Sequence, residues 1–182
     1  MTENKINSKV RDMVFISAFA ALMAICAWIS VTAVVPFTMQ TFAIFMAAAF
    51  LGAKRGTLAV LVYILLGAAG LPVFSGFKGG IGAIMGSTGG YITGFLPCAF
   101  ITGLLCDRFG RSLKVMIPAM LAGLVICYAI GTGWFMAVYL NAGKETTLYK
   151  VLFSCVIPFI IPDTLKICLA AFLTKRLAAH LQ

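Results

Sequence analysis

Between Met13 and Leu173 the chain is almost continuous apolar sequence, cut into six runs by short clusters of charge, proline and glycine. The runs are about 13–35, 40–53, 57–72, 88–106, 115–140 and 151–173. A membrane-spanning helix needs roughly 20 apolar residues, and in a bilayer every backbone N–H and C=O must be satisfied within the protein. Repeated runs of this length therefore admit one main solution, a bundle of packed membrane helices. Composition agrees: 62% of the residues are hydrophobic and 10% are charged, against about 45–50% and about 25% in a soluble domain. The expected fold is an all-α integral membrane protein with six transmembrane helices and a single membrane domain over residues 1–182. The second and third runs are short, which suits helices that line a cavity. The run from Met13 is too long for the apolar core of a cleaved signal peptide.

Basic residues set the expected orientation. Lys5, Lys9 and Arg11 precede the first run, Lys54 and Arg55 join the second to the third, Arg108, Arg111 and Lys114 join the fourth to the fifth, and Lys175 and Arg176 follow the sixth. These ten lie on one side, whereas Lys78, Lys144 and Lys150 lie on the other and Lys166 falls within a run. The positive-inside rule places both termini in the cytoplasm. The net charge of +9 is thus spread over loops rather than gathered in a patch, which argues against nucleic acid as a partner. The six cysteines form no CxxC or Cys/His cluster and the single histidine is His180. They are expected to be buried free thiols, with no metal site.

Two charges interrupt the last run, IPFIIPDTLKICLAAFL. Asp163 and Lys166 are three residues apart, on one face of a helix that Pro162 is placed to begin or break. A lone charge at the centre of a bilayer helix costs on the order of 3 kcal/mol on insertion scales. The two could neutralise each other, or they could bind a ligand that offers both donors and acceptors, and intramembrane ionisable residues are functional candidates by default. The other polar groups at membrane depth share the Asp163 side: Thr38 and Gln40, then Thr88, Tyr91 and Thr93, then Tyr128, Thr132 and Trp134. They suit an outward-facing small-molecule pocket, and each singly also suits helix packing.

The connection VFSGFKGGIGAIMGS is glycine-rich and partly apolar. It reads either as a passive connector or as a lid whose Phe74 and Phe77 close over a ligand. Ser17, Ala20, Ala21 and Ala24 form a small-residue stripe on the first helix, a candidate contact for another membrane protein. No phosphate-binding G-x-x-x-x-G-K-[ST] loop and no Ser/His/Asp set is present, so the chain is not expected to be an enzyme, and uphill transport would draw on a partner or an ion gradient.

VPFTMQT (35–41), LGAKRGTLAVLVYILLGAAGLPVFSG (51–76), GSTGGYITGF (86–95) and PFIIPDTLK (158–166) resemble the BioY family, the biotin-binding S components of energy-coupling-factor (ECF) transporters. Ser87 stands where the family commonly has proline. The resemblance covers most of 13–173. It implies an S-component-like six-helix bundle in the bacterial plasma membrane, with a biotin pocket near the ends of helices four to six under the first and third loops. It implies that Asp163 and Lys166 belong to that pocket, and that Ala20 and Ala24 contact a membrane-embedded coupling subunit joined to a pair of ATPases. It implies no cofactor. An S component for another small vitamin, or a stand-alone membrane carrier, are the alternatives.

Overall fold

The computed structural model describes residues 2–31, 35–144 and 147–181, with side chains from 8 to 178. The chain is helical nearly throughout: α1 (Thr2–Trp28), α2 (Gln40–Ala68), α3 (Ile81–Met85), α4 (Gly89–Phe109), α5 (Leu113–Asn141), α6 (Leu148–Cys155) and α7 (Ile157–Leu181). Between α1 and α2, β1 (Ser30–Val31) and β2 (Phe37–Thr38) pair antiparallel. Among the described residues, stretches long and apolar enough to cross a membrane are Ser8–Trp28, Gln40–Ala68, Gly89–Phe109, Leu113–Asn141 and Leu148–Ala178. Val14, Ile25, Leu65, Phe100, Val125, Ile161 and Phe172 stand exposed along them, as side chains facing lipid do. The chain is an all-α, multi-pass membrane protein.

Two expected runs turn out to be the arms of α2. Gly52 breaks it with φ 82° and ψ −179°, a conformation that L side chains rarely adopt. The arms, 40–51 and 53–68, fold back on each other. Gln40 hydrogen-bonds Tyr63, although 23 residues of straight helix would hold them about 35 Å apart. Gly56 lies against Ala48, where an added Cβ would stand 2.8 Å from the Ala48 Cα.

Both free ends of this break are capped by one ion pair. Asp107 Oδ2 accepts the Ala53 N–H at 2.8 Å, and Arg111 Nε donates to the Ala49 carbonyl at 2.8 Å. Arg111 in turn bonds Asp107 Oδ1 at 3.0 Å. The first free N–H of one arm and a last carbonyl of the other are thereby satisfied.

Several boundaries differ from the sequence expectation. The first helix stops at Trp28 instead of continuing to Val35, because Ser30–Val31 satisfies its backbone against Phe37–Thr38; residues 32–34 lie outside the described residues. The third run ends at Ala68, where Gly70 (φ 102°) and Pro72 stop a helix. The sixth run is two helices that part at Val156, just ahead of Pro158. Pro162 neither begins nor breaks the helix but lies inside α7. The 73–87 connection carries a tight turn, Ser75–Phe77, and α3.

α4 sits between α2 and α5, and its glycines set the distances. A Cβ on Gly103 would meet Ala53 N at 2.5 Å, and one on Gly94 would meet Cys127 at about 3.3 Å. Close approach of this kind is what small residues supply in a bilayer, where no hydrophobic force draws helices together. Five cysteines are buried free thiols, and Cys168 is exposed.

Candidate functional site

Helices α2 to α7 and the connections on either side of α2 line a cavity of about 570 Å³, within the size range of small-molecule sites. α7 presents Phe159, Asp163 and Lys166 to it, at spacings of four and three that keep them on one face. Ile160, Ile161 and Leu165, on the other face, are exposed. β2 contributes Thr38, the start of α2 contributes Gln40 and Thr41, α4 contributes Tyr91, Ile92 and Phe95, and α5 contributes Tyr128. Phe74, Ser75, Lys78 and Thr88 come from the connection above. All eight residues singled out as ligand contacts, Thr38, Gln40, Phe74, Thr88, Tyr91, Tyr128, Asp163 and Lys166, therefore line one space.

The charged pair is buried, Asp163 2% exposed and Lys166 5%. Lys166 Nζ lies 2.8 Å from Asp163 Oδ1 and donates to the Thr38 carbonyl at 2.6 Å. It also stands 3.9 Å above the Phe37 ring, a favourable cation–π contact. Asp163 Oδ1 accepts from Thr41 Oγ1 at 3.0 Å, and Oδ2 accepts from Tyr128 at 2.6 Å. The pair is matched from three elements, so it ties α7 to α2 and α5 as well as facing the cavity. Thr41 and Phe37 went unnoticed in the sequence, since a threonine and a phenylalanine in an apolar run carry no distinguishing signal.

A second polar chain runs from this floor to the loop above. Thr38 Oγ1 donates to Gln40 Oε1 at 3.0 Å, Gln40 Nε2 bonds Tyr63, and the Tyr63 hydroxyl donates to the Val73 carbonyl at 2.9 Å. Phe74, the next residue, is 2% exposed and meets the Tyr63 ring edge-on at 5.6 Å. Tyr63 was missed for the same reason as Thr41.

Other expected residues go elsewhere. Phe77 is 64% exposed and stacks on Trp28 at 5.3 Å instead of covering the cavity, held there by the Trp28 Nε1 bond to the Pro72 carbonyl. Thr93 bonds back to the Gly89 and Gly90 carbonyls. Thr132 bonds Tyr91, and Trp134 donates to the Gly86 carbonyl. Ala20 and Ala24 are buried within the chain's own core, because they let α1 pack on α2. In the middle of α1 the exposed small residues are Ser17, Ala18 and Ala21.

The cavity offers paired donors and acceptors in an apolar surround, with the added charge of Lys78 among its lining residues. A small polar molecule is the kind of ligand such a lining can hold.

The BioY family model matches residues 1–182. A biotin transporter BioY of Thermotoga maritima is 40% identical over 169 residues, covering 92% of this chain and 96% of the relative. A probable biotin transporter BioY of Pyrococcus horikoshii is 41% identical, covering 94% and 99%. The crystal structure of an S-component for biotin from an ECF-type ABC transporter superposes with a TM-score of 0.84 at 25% identity, covering 95% of this chain and 93% of that one. A match over the whole length, a shared fold and two close relatives converge, and the chain belongs to the BioY family.

Proposed function

We propose that this chain is the biotin-binding membrane subunit of an ECF-type transporter in a bacterial plasma membrane, a transport protein and not an enzyme. The observation that carries the reading is the matched Asp163–Lys166 pair facing the cavity, in a chain whose relatives are named as biotin transporters. Biotin has two ureido N–H donors, a ureido carbonyl, an apolar thioether ring and a carboxylate. Asp163 and Lys166 can answer the polar groups, and Tyr91, Phe95 and Phe159 can answer the ring. Purified in detergent, the full chain is expected to retain radiolabelled biotin on a filter, with competition by unlabelled biotin and none by thiamine or riboflavin. Absence of retention, or equal competition by the other vitamins, would overturn the assignment.

The membrane topology follows the two arms of α2. Counting each as a crossing gives six spans: α1, the two arms, α4, α5 and α6–α7 together. The arms measure about 18 Å and 24 Å, shorter than the ~30 Å hydrocarbon core, as suits helices that end beneath a pocket. Both termini then share the side carrying ten basic residues, the cytoplasm. An alkaline phosphatase fusion at the C-terminus, active only outside, should be silent; a fully active fusion would reverse the orientation.

The S-component reading requires a membrane coupling subunit and ATPases as partners. The face of α1 available to them is Ser17, Ala18 and Ala21, flanked by Val14 and Ile25. Tryptophan at Ala18 and Ala21 is expected to leave biotin retention intact and to reduce recovery of the complex by at least about tenfold, because bulk there blocks close helix approach. Undiminished recovery would place the contact elsewhere.

A further inference from the structure

At the end of the bundle opposite the cavity, a second cleft of about 290 Å³ opens between α1, the turn of α2, the α4–α5 loop and α7. Its floor is apolar, with Phe15 and Phe50 edge to face at 5.8 Å and Leu51 beside them. Its rim is basic, formed by Arg11, Arg55 and Arg111. Arg55 is paired with Asp12 at 3.0 Å through Nε, and Arg111 with Asp107 at 3.0 Å through one terminal nitrogen. Each therefore keeps further N–H donors for an incoming group. Arg11 has no ion-pair partner among the described residues. Three guanidiniums line the cleft against one carboxylate, Asp12, so the cleft is positive even with Asp107 beside Arg111.

We propose that this cleft is a site for the phosphodiester headgroup of a singly charged anionic glycerophospholipid, such as phosphatidylglycerol. Guanidinium forks match phosphate oxygens in geometry, and the excess positive charge of the rim favours an anionic headgroup. The apolar floor takes the glycerol and first acyl carbons. Val10, Met13 and Val14 are exposed on α1 alongside, so the apolar surface runs on from the cleft toward the bilayer. Basic pockets between membrane helices hold anionic headgroups by this division of labour.

The full chain would be purified in a mild detergent, exchanged into phosphatidylglycerol or phosphatidylcholine mixed micelles, and examined by native mass spectrometry with a parallel thermal-shift titration. Wild-type protein should keep one phosphatidylglycerol through detergent washing and release phosphatidylcholine. Arg11→Gln should weaken retention at least about fivefold, the worth of one basic residue near an anionic surface. Ala178→Phe, which fills the cleft without changing charge, should weaken it as much. Arg11→Lys should fall between. Circular dichroism and a single elution peak establish folding, and since Arg11 is exposed its removal tests the site and not the fold. Equal retention of the two lipids, or variants that behave as wild type, would overturn the proposal. So would stabilisation by inorganic phosphate equal to that by phosphatidylglycerol, which would mark a free-anion site. Variants that keep the lipid but lose the coupling subunit would likewise reassign the cleft to protein docking.

Discussion

Lys166→Met is expected to lower the melting temperature by about 10 °C and to abolish measurable biotin retention. The substitution leaves the Asp163 carboxylate at 2% exposure with only the Thr41 and Tyr128 hydroxyls as donors. Breaking a buried pair by removing one partner costs about 3–5 kcal/mol, because the remaining charge is uncompensated, and in a chain of this size each kcal/mol shifts the midpoint by roughly 2–4 °C. Asp163→Asn should destabilise less, since Lys166 keeps the Thr38 carbonyl and the Phe37 ring. The double substitution removes both charges and should recover most of the lost stability while still binding biotin at least about tenfold more weakly than wild type, one decade for each 1.4 kcal/mol. Melting temperature and affinity measured across the three variants separate the roles. A stable double variant with wild-type affinity would remove the pair from the ligand site. Single variants as stable as wild type would show that it does not hold α7. The sequence posed neutralisation and ligand binding as rivals, whereas the pair's anchorage to α2 and α5 makes them compatible.

Gly67→Ala is expected to accelerate biotin release at least about tenfold. A Cβ at this position would stand 2.1 Å from Phe74 Cζ, well inside van der Waals contact, so the ring must leave its notch against Tyr63. The Gly67 carbonyl also accepts the Gly80 N–H at 2.7 Å, which seats the far side of the same loop. Both anchors belong to the segment over the cavity, and loosening them should raise the dissociation rate of labelled biotin far more than it changes association. In a Phe74→Ala background the obstruction is gone, so Gly67→Ala should add almost nothing; residues in contact are non-additive for this reason. An unchanged release rate for Gly67→Ala, or full additivity with Phe74→Ala, would make the loop a passive connector.

Hydropathy and charge alone determined the environment, the all-helical class and the placement of Asp163 and Lys166 on one helical face. Helix periodicity is local, so a sequence reports it directly, and a charge within an apolar run stands out because burying it is costly. The polar residues at one membrane depth, from Thr38 to Tyr128, were legible as a set for the same reason. What the tertiary structure alone decided was which apolar face points where. In water an inward face is apolar and an outward face polar. In a bilayer both are apolar, so pattern carries no such information. That is why Ala20 and Ala24 could be assigned to a partner and prove to be core, and why Phe77 turns to Trp28 while Phe74 fills the notch at Gly67. It is also why Thr41, Tyr63 and Phe37 entered the site's network unannounced: each is unremarkable along the chain, and only the return of the α2 hairpin at Gly52 brings Tyr63 to Gln40, and only the crossing of α7 brings Thr41 and Phe37 to the charges they serve.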